Sequence, residues 1–297
     1  MRVATRSLYQ GIQQRISLLS SELKDLNEQV TTGKKIHRLS DDPIGLIDSL
    51  GLKSVLSQVE QYNRNMKTGE SWLNASESAM SQAFQLLNRA KEISVQMGTG
   101  TQTAETRANA AYEVDHLLDQ AIALGNTEVG GSYIFAGYRT RTAPFSRTTL
   151  GGIETAEYHG DTNDFRIRIG KDELLTVGEN GQTVFMDSGI FVTLGTLKKA
   201  LEDNDRDAIT QQLDGLNKAQ SDLNSLIAGV GARTNRLEWG REALSSLSLN
   251  IEERLSQVED ADFAEVATEL KGKELTYQAA LASAVKITEL SLLNYLS

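Results

Sequence analysis

The sequence predicts a mainly α protein: a long antiparallel coiled coil or helical bundle built from the N- and C-terminal segments, with a small β domain inserted between them. Three observations predict it. Both flanks carry apolar residues at a period near 3.5, the signature of helices that pack along a narrow seam. The 297-residue chain holds only 2 prolines, Pro43 and Pro144, where average usage of roughly 5% would give about fifteen, so long helices can run uninterrupted. Half of the 24 glycines and five of the seven phenylalanines fall between Gly125 and Gly195, which marks that stretch as something other than helix.

The first helix places Tyr9, Ile16, Leu23 and Val30 at one heptad position and Ile12, Leu19 and Leu26 at the other. Gly33 ends it. After the basic segment Lys34 to Arg38, the run Ser40-Asp41-Asp42-Pro43 offers capping acceptors and a proline at the first helical position, so a second helix starts there. Its seam runs from Leu52 and Val55 through Val59, Met66, Leu73, Met80 and Leu87 to Met97, with Gly69, Ser76 and Ser94 as weak links. Gly98 and Gly100 stop it, and Thr103 with Glu105 and Thr106 opens a third helix to about Asn126.

Within 129–195, alternating segments such as Tyr133-Ile134-Phe135, Phe165 to Ile169 and Val184-Phe185-Met186, broken by Gly-Gly and Asn180-Gly181, predict short strands joined by hairpin turns. This insertion is expected to face outward and not to be required for assembly, since it interrupts two helical halves whose seams match without it. Beyond it, Ile209, Leu216, Leu223, Val230, Leu237, Leu244, Ile251 and Val258 repeat every seven residues, which predicts one helix about 80 Å long. The last helix, about Asp262 to Leu296, carries Leu270, Tyr277, Leu281, Val285, Leu292 and Tyr295 on a less regular face. The expected domains are therefore 1–40 with 259–297 as a paired-helix assembly domain, 41–128 with 196–258 as a helical bundle, and 129–195 as the β insertion. Residues 1–40 hold seven Lys/Arg against three Asp/Glu, and 259–297 hold three Lys against seven Asp/Glu. Net charges of +4 and −4 suit end helices that pair with each other, and equally suit solvated faces.

Composition narrows the chemistry. The absence of cysteine excludes disulfides, thiolate zinc sites and a cysteine nucleophile. A net charge of −10 lacks the basic footprint of a nucleic-acid binder. No stretch nears the roughly 20 apolar residues of a membrane helix, so neither nucleic acid nor membrane is an expected partner. Arg2 and Arg6 are followed by no apolar core segment, so a cleavable secretory signal is not expected. Glu113 and His116 share the spacing of a di-iron helix, but the remaining histidines, His37 and His159, have Lys34 and Ala156 three residues upstream, so no second half of such a site exists. Phosphate-loop and nucleophile-elbow motifs are missing too. No catalytic residue, cofactor or metal is expected, and a structural role is.

Three segments carry a resemblance. Met1-Arg2-Val3-Ala4-Thr5 leading into Thr32-Gly33-Lys34-Lys35 and Ser40-Asp41-Asp42-Pro43-Ile44-Gly45 resembles the N-terminal region of the flagellin superfamily. Asp260-Ala261-Asp262-Phe263-Ala264-Glu265, Tyr277-Gln278-Ala279-Ala280-Leu281 and the terminal Leu290 to Leu296 are similar to its C-terminal region. Asp-Asp-Pro, and Gly131 to Gly137 (Gly-Ser-Tyr-Ile-Phe-Ala-Gly) with Thr140, Thr142, Pro144 and Phe145, resemble the hook-associated branch of that superfamily. The resemblance covers roughly 1–145 and 205–297; beyond Phe145 the β segment matches nothing.

That resemblance implies a flagellar subunit exported unfolded through the flagellar type III apparatus to the cell exterior. It would assemble with itself as an adaptor ring between the first hook-filament junction protein and flagellin, and bind a cytoplasmic export chaperone through about 259–297. The terminal seams, Tyr9, Ile12, Ile16, Leu19, Leu23, Leu26 and Val30 with Leu270, Tyr277, Leu281, Val285, Leu292 and Tyr295, would be its assembly interface. A filament-forming flagellin stays open as an alternative, and a helical-bundle metal enzyme as a remote one.

Overall fold

The computed structural model describes the backbone of residues 2–296 and the side chains of residues 10–286. Among these, six α-helices and six short strands follow in the order α1 (Arg2–Thr32), α2 (Pro43–Met97), α3 (Ala104–Gly125), β1 (Glu128–Val129), β2 (Ser132–Tyr133), β3 (Phe145–Leu150), β4 (Ile153–Tyr158), β5 (Phe165–Arg168), β6 (Leu174–Gly178), α4 (Ile190–Glu202), α5 (Arg206–Glu259) and α6 (Phe263–Leu296). The chain divides into two compact units, a terminal one of Met1–Ser57 with Leu247–Ser297 and a central one of Gln58–Ser246. The division falls inside α2 and α5, not at the chain turns near 40 and 259, and the strands share the central unit with the helices.

Helix starts follow capping chemistry. Asp42 Oδ1 accepts from the backbone N–H of Ile44 (3.1 Å) and Gly45 (2.9 Å), with Pro43 at the first helical position. Thr103 caps α3 through Thr106 N–H, Asp205 caps α5 through Asp207 and Ala208, and Asp262 caps α6 through Ala264 and Glu265. The end of α2 is held differently. The buried Arg107 guanidinium donates to the carbonyls of Met97 and Thr99 and to Asn204 Oδ1, so a cation sits at the negative end of the helix.

The core of the central unit is one continuous cluster. From α5 it takes Ile209, Leu216, Leu223, Val230 and Leu237, all nearly fully buried, and from α2 it takes Met66, Leu73, Met80, Leu87 and Met97. The strand region is part of this cluster through Phe135, Phe145, Ile167, Val177 and Phe185. The inserted strands are therefore not a domain separate from the helical bundle, as the expected boundaries had it, but share its core. Two-stranded hairpins are marginal by themselves, and each of the longer two here is seated on a helix at a glycine. A side chain at Gly69 of α2 would meet Ile167 and Val177 of the β5/β6 hairpin, and one at Gly195 of α4 would strike the Glu154 carbonyl of β4. Trp72 of α2 stacks on Phe165 at a ring separation of 4.3 Å.

The turns obey their glycines. Gly130-Gly131 and Gly151-Gly152 all have positive φ, as two-residue hairpins require, and join β1 to β2 and β3 to β4. Tyr158, from β4, donates towards the Phe135 and Asp161 carbonyls at 2.9 and 2.7 Å, and burial pushes its phenol up to about 12, so it stays a donor. One predicted strand is a helical turn. Val184-Phe185-Met186 belongs to a π-helical segment, Gln182–Met186, because Asn180 Oδ1 accepts from Thr183 N–H and Oγ1 and caps a turn. Similarly, Ile190 to Gly195, expected within the β domain, open α4.

Candidate assembly interface

In the terminal unit α1 packs antiparallel against α6. Gly33 carbonyl accepts from Ala261 N–H (2.9 Å) at one end, and Glu22 pairs with Lys273 (2.6 Å) about three turns further along. Of the predicted seam, Leu26 is buried, while Ile12, Ile16, Leu19, Leu23 and Val30 are half-buried. On α6, Leu270 and Tyr277 are half-buried. Leu281 and Val285 are 40% and 55% exposed. The more covered face of α6 runs Val266, Leu270, Lys273, Tyr277, Ala280, Ala284, in alternating steps of four and three, which leaves Leu281 and Val285 one residue to the side. The side chains of Tyr9, Leu292 and Tyr295 lie outside the described residues. The one ion pair between α1 and α6 among the described residues runs against the net charges, from a glutamate of the basic α1 to a lysine of the acidic α6.

Where α1 ends and α6 begins, the two connectors meet. Lys34 and Asp260 form an antiparallel bridge, Lys35 N–H donates to the Glu259 carbonyl (2.7 Å), and Lys35 Nζ donates to the Gln257 carbonyl (2.9 Å). The Glu259 side chain, 6% exposed, pairs with Lys53 at 2.5 Å and Lys34 at 3.3 Å. Burial alone would raise this carboxyl; the hydrogen bonds from Lys53 and Lys34 outweigh it and hold the group below the ordinary glutamate range. The basic segment after α1 is thus a clasp. Asp41 Oδ2 accepts from the backbone N–H of both His37 and Arg38, which holds its own carboxyl low.

Sequence reasoning missed a second apolar face. Ile44, Ile47 and Leu50 stand outward on the first turns of α2, Ile44 at 75% exposure, while Ser49 and Val59 point inward. Val55, expected in the inner seam, is exposed as well. Their three-residue spacing was the available signal. Isolated exposed apolar side chains are ordinary, but a row of them marks an interaction surface. Phe263 and Leu275 are similarly exposed on α6. The metal-like pair leads elsewhere: Glu113 accepts from Arg89 Nε at 2.6 Å and His116 is exposed.

A chain whose first and last helices pair while its middle closes a helical core has the architecture of a structural subunit. Residues 3–140 match the bacterial flagellin N-terminal helical region and residues 213–296 the bacterial flagellin C-terminal helical region, and the chain belongs to the flagellin family. It is 26% identical over 318 aligned residues to flagellar hook-associated protein 3 of Escherichia coli and equally to that of Salmonella typhimurium, with 98% of both chains covered in each case. Its fold is similar to the flagellar junction protein FlgL from Legionella pneumophila, with a TM-score of 0.59 at 19% identity, over 72% of this chain and all of that one.

Proposed function

We propose that this protein is a structural subunit of the bacterial flagellum, a hook-associated adaptor that forms a ring at the junction of hook and filament. The observation that carries the reading is the end-to-end alignment with hook-associated protein 3, which runs through the strand region that the two flagellin profiles leave unmatched. On this reading the subunit is exported unfolded by the flagellar type III apparatus and delivered by a cytoplasmic chaperone that holds about 259–297. It then contacts the first hook-filament junction protein on one side and flagellin on the other. The terminal seams from Ile12 to Val30 and from Leu270 to Val285, together with Tyr9, Leu292 and Tyr295, serve assembly. The support for that role is their partial coverage within one chain: helices with a narrow seam gain most of their stability from packing partners.

Immunogold labelling of isolated flagella tests it. Label is expected as one narrow band where hook meets filament, and cells lacking the chain are expected to release flagellin monomer into the medium. Label distributed along the filament would instead make this chain a filament-forming flagellin.

A further inference from the structure

Three helix glycines in the terminal unit, Gly11, Gly51 and Gly272, have open space where a side chain would stand, and the last two of them line depressions. An added Cβ at Gly51 of α2 or at Gly272 of α6 would meet nothing within 4 Å, yet glycine in a helix interior is unfavourable relative to alanine. Each lies in a depression. Gly51 lies in a groove of about 620 Å³ between the start of α2 and the end of α5, walled by Ile47, Leu52 and Val258. Asp48 stands at its α2 rim and Arg254 at its α5 rim, and neither makes an ion pair among the described residues. Gly272 lies beside Leu275, which is 71% exposed. Lys271 stands one turn before that leucine and Glu274 beside it, paired to each other across an exposed helix face.

We propose that Leu275 of one copy of this chain seats in the Gly51 groove of the next. The occupant is a second copy because the charges match in both senses. The groove presents one carboxylate and one guanidinium, and the leucine is flanked by one ammonium and one carboxylate. Lys271 and Glu274 exchange the ion pair they make with each other for Asp48 and Arg254, respectively. A partner of single sign would leave one rim charge desolvated and unpaired. Groove and leucine are different surfaces of the same chain, so the contact is heterologous, and repeating it generates a closed ring or a helical row. The leucine supplies apolar burial, and the missing side chain at Gly51 supplies the room. This contact rests on the assembly role proposed above and adds to the terminal seams a second, laterally placed connection.

The absence of native cysteine makes the test clean. In flagella isolated from cells that carry only the Gly51→Cys, Leu275→Cys double variant of the full chain, oxidation is expected to yield a ladder of disulfide-linked multimers. Each single variant is expected to yield none beyond dimer. Asp48→Lys is expected to abolish both filament attachment and the ladder, and adding Lys271→Asp to that chain to restore them. Gly51→Leu is expected to leave the monomer melting temperature unchanged or higher while filament attachment is lost. A double variant that immunogold places at the junction but that forms no ladder overturns this contact and leaves the adaptor reading intact. Normal filament attachment by Gly51→Leu overturns the contact as well. Absence of label at the junction overturns the adaptor reading itself.

Discussion

Gly195 and Glu259 show how single atoms decide this fold. Replacing a helix-interior glycine by alanine ordinarily stabilises by about 1 kcal/mol, and Gly231→Ala in α5, where an added Cβ meets nothing within 4 Å, is expected to do so. Gly195→Ala is expected to have the opposite sign, lowering stability by roughly 1–3 kcal/mol, because the Glu154 carbonyl occupies the space. Paired thermal melts of the two variants check this, and an equal gain from both would mean that α4 does not seat on β4 in that way. Glu259 sets a pH dependence. Its folded carboxyl lies below the ordinary value near 4.5, so its contribution is complete above that pH and is lost as the pH falls through the lowered folded value. Glu259→Gln is expected to cost about 1.5–3 kcal/mol at neutral pH. It should also flatten the acid limb of a pH titration of stability, read by hydrogen exchange at the α1/α6 amides; an unchanged acid limb would remove the clasp from the account.

At the scale of elements, the two seams differ in what they bury. Leu237 of α5 is buried in the central cluster, whereas Leu23 of α1 is only half-covered by α6. Leu237→Asp is expected to cost on the order of 4 kcal/mol by placing a charge in a closed core. Leu23→Asp is expected to leave the thermal transition of the central unit in place and to prevent filament attachment; equal destabilisation by both would make the end helices ordinary core. The seven-residue repeat from Ile209 to Val258 was legible because every member is a large aliphatic, and the Asp42-Pro43 start because its capping chemistry is local. The register of α6 was not, since Ala280 and Ala284 hold seam positions where Leu281 and Val285 look more apolar. Nor was the turn at Gln182–Met186, because three apolar residues fit either period. The clasp on Glu259 joins residues more than two hundred positions apart, and no local pattern announces such a pair. The row Ile44, Ile47, Leu50 was visible and went unread, since one apolar face per helix is the usual expectation.

For the whole molecule, the shared core makes the strand region indispensable to the central unit. Burying Ile167, Leu175, Val177 and Phe185 contributes roughly 1.5–3 kcal/mol each, and four such side chains match the 5–15 kcal/mol by which a typical domain is stable. Replacing 146–190 by a Gly/Ser linker is therefore expected to abolish the cooperative melt, and a variant that still melts cooperatively would show that the helices close over the gap. The clasp also orders events in time. Lys35 reaches the Gln257 carbonyl across 222 residues, and closing a loop of that length costs about 5 kcal/mol of chain entropy before any contact repays it. Until residue 261 exists or has been delivered, α1 has neither its connector partner nor α6, whereas the central unit can gather its core from residues already present. The terminal pair is thus the last part of the chain to become protected, whichever way the chain is supplied from its N-terminus. Pulsed hydrogen exchange during refolding is expected to mark the amides of α5 between Ile209 and Leu237 as protected before those of α1. If the terminal helices serve assembly as proposed, a chain built this way would hold those surfaces unfinished until its last helix has arrived, and completeness of the polypeptide would be the trigger for joining its neighbours.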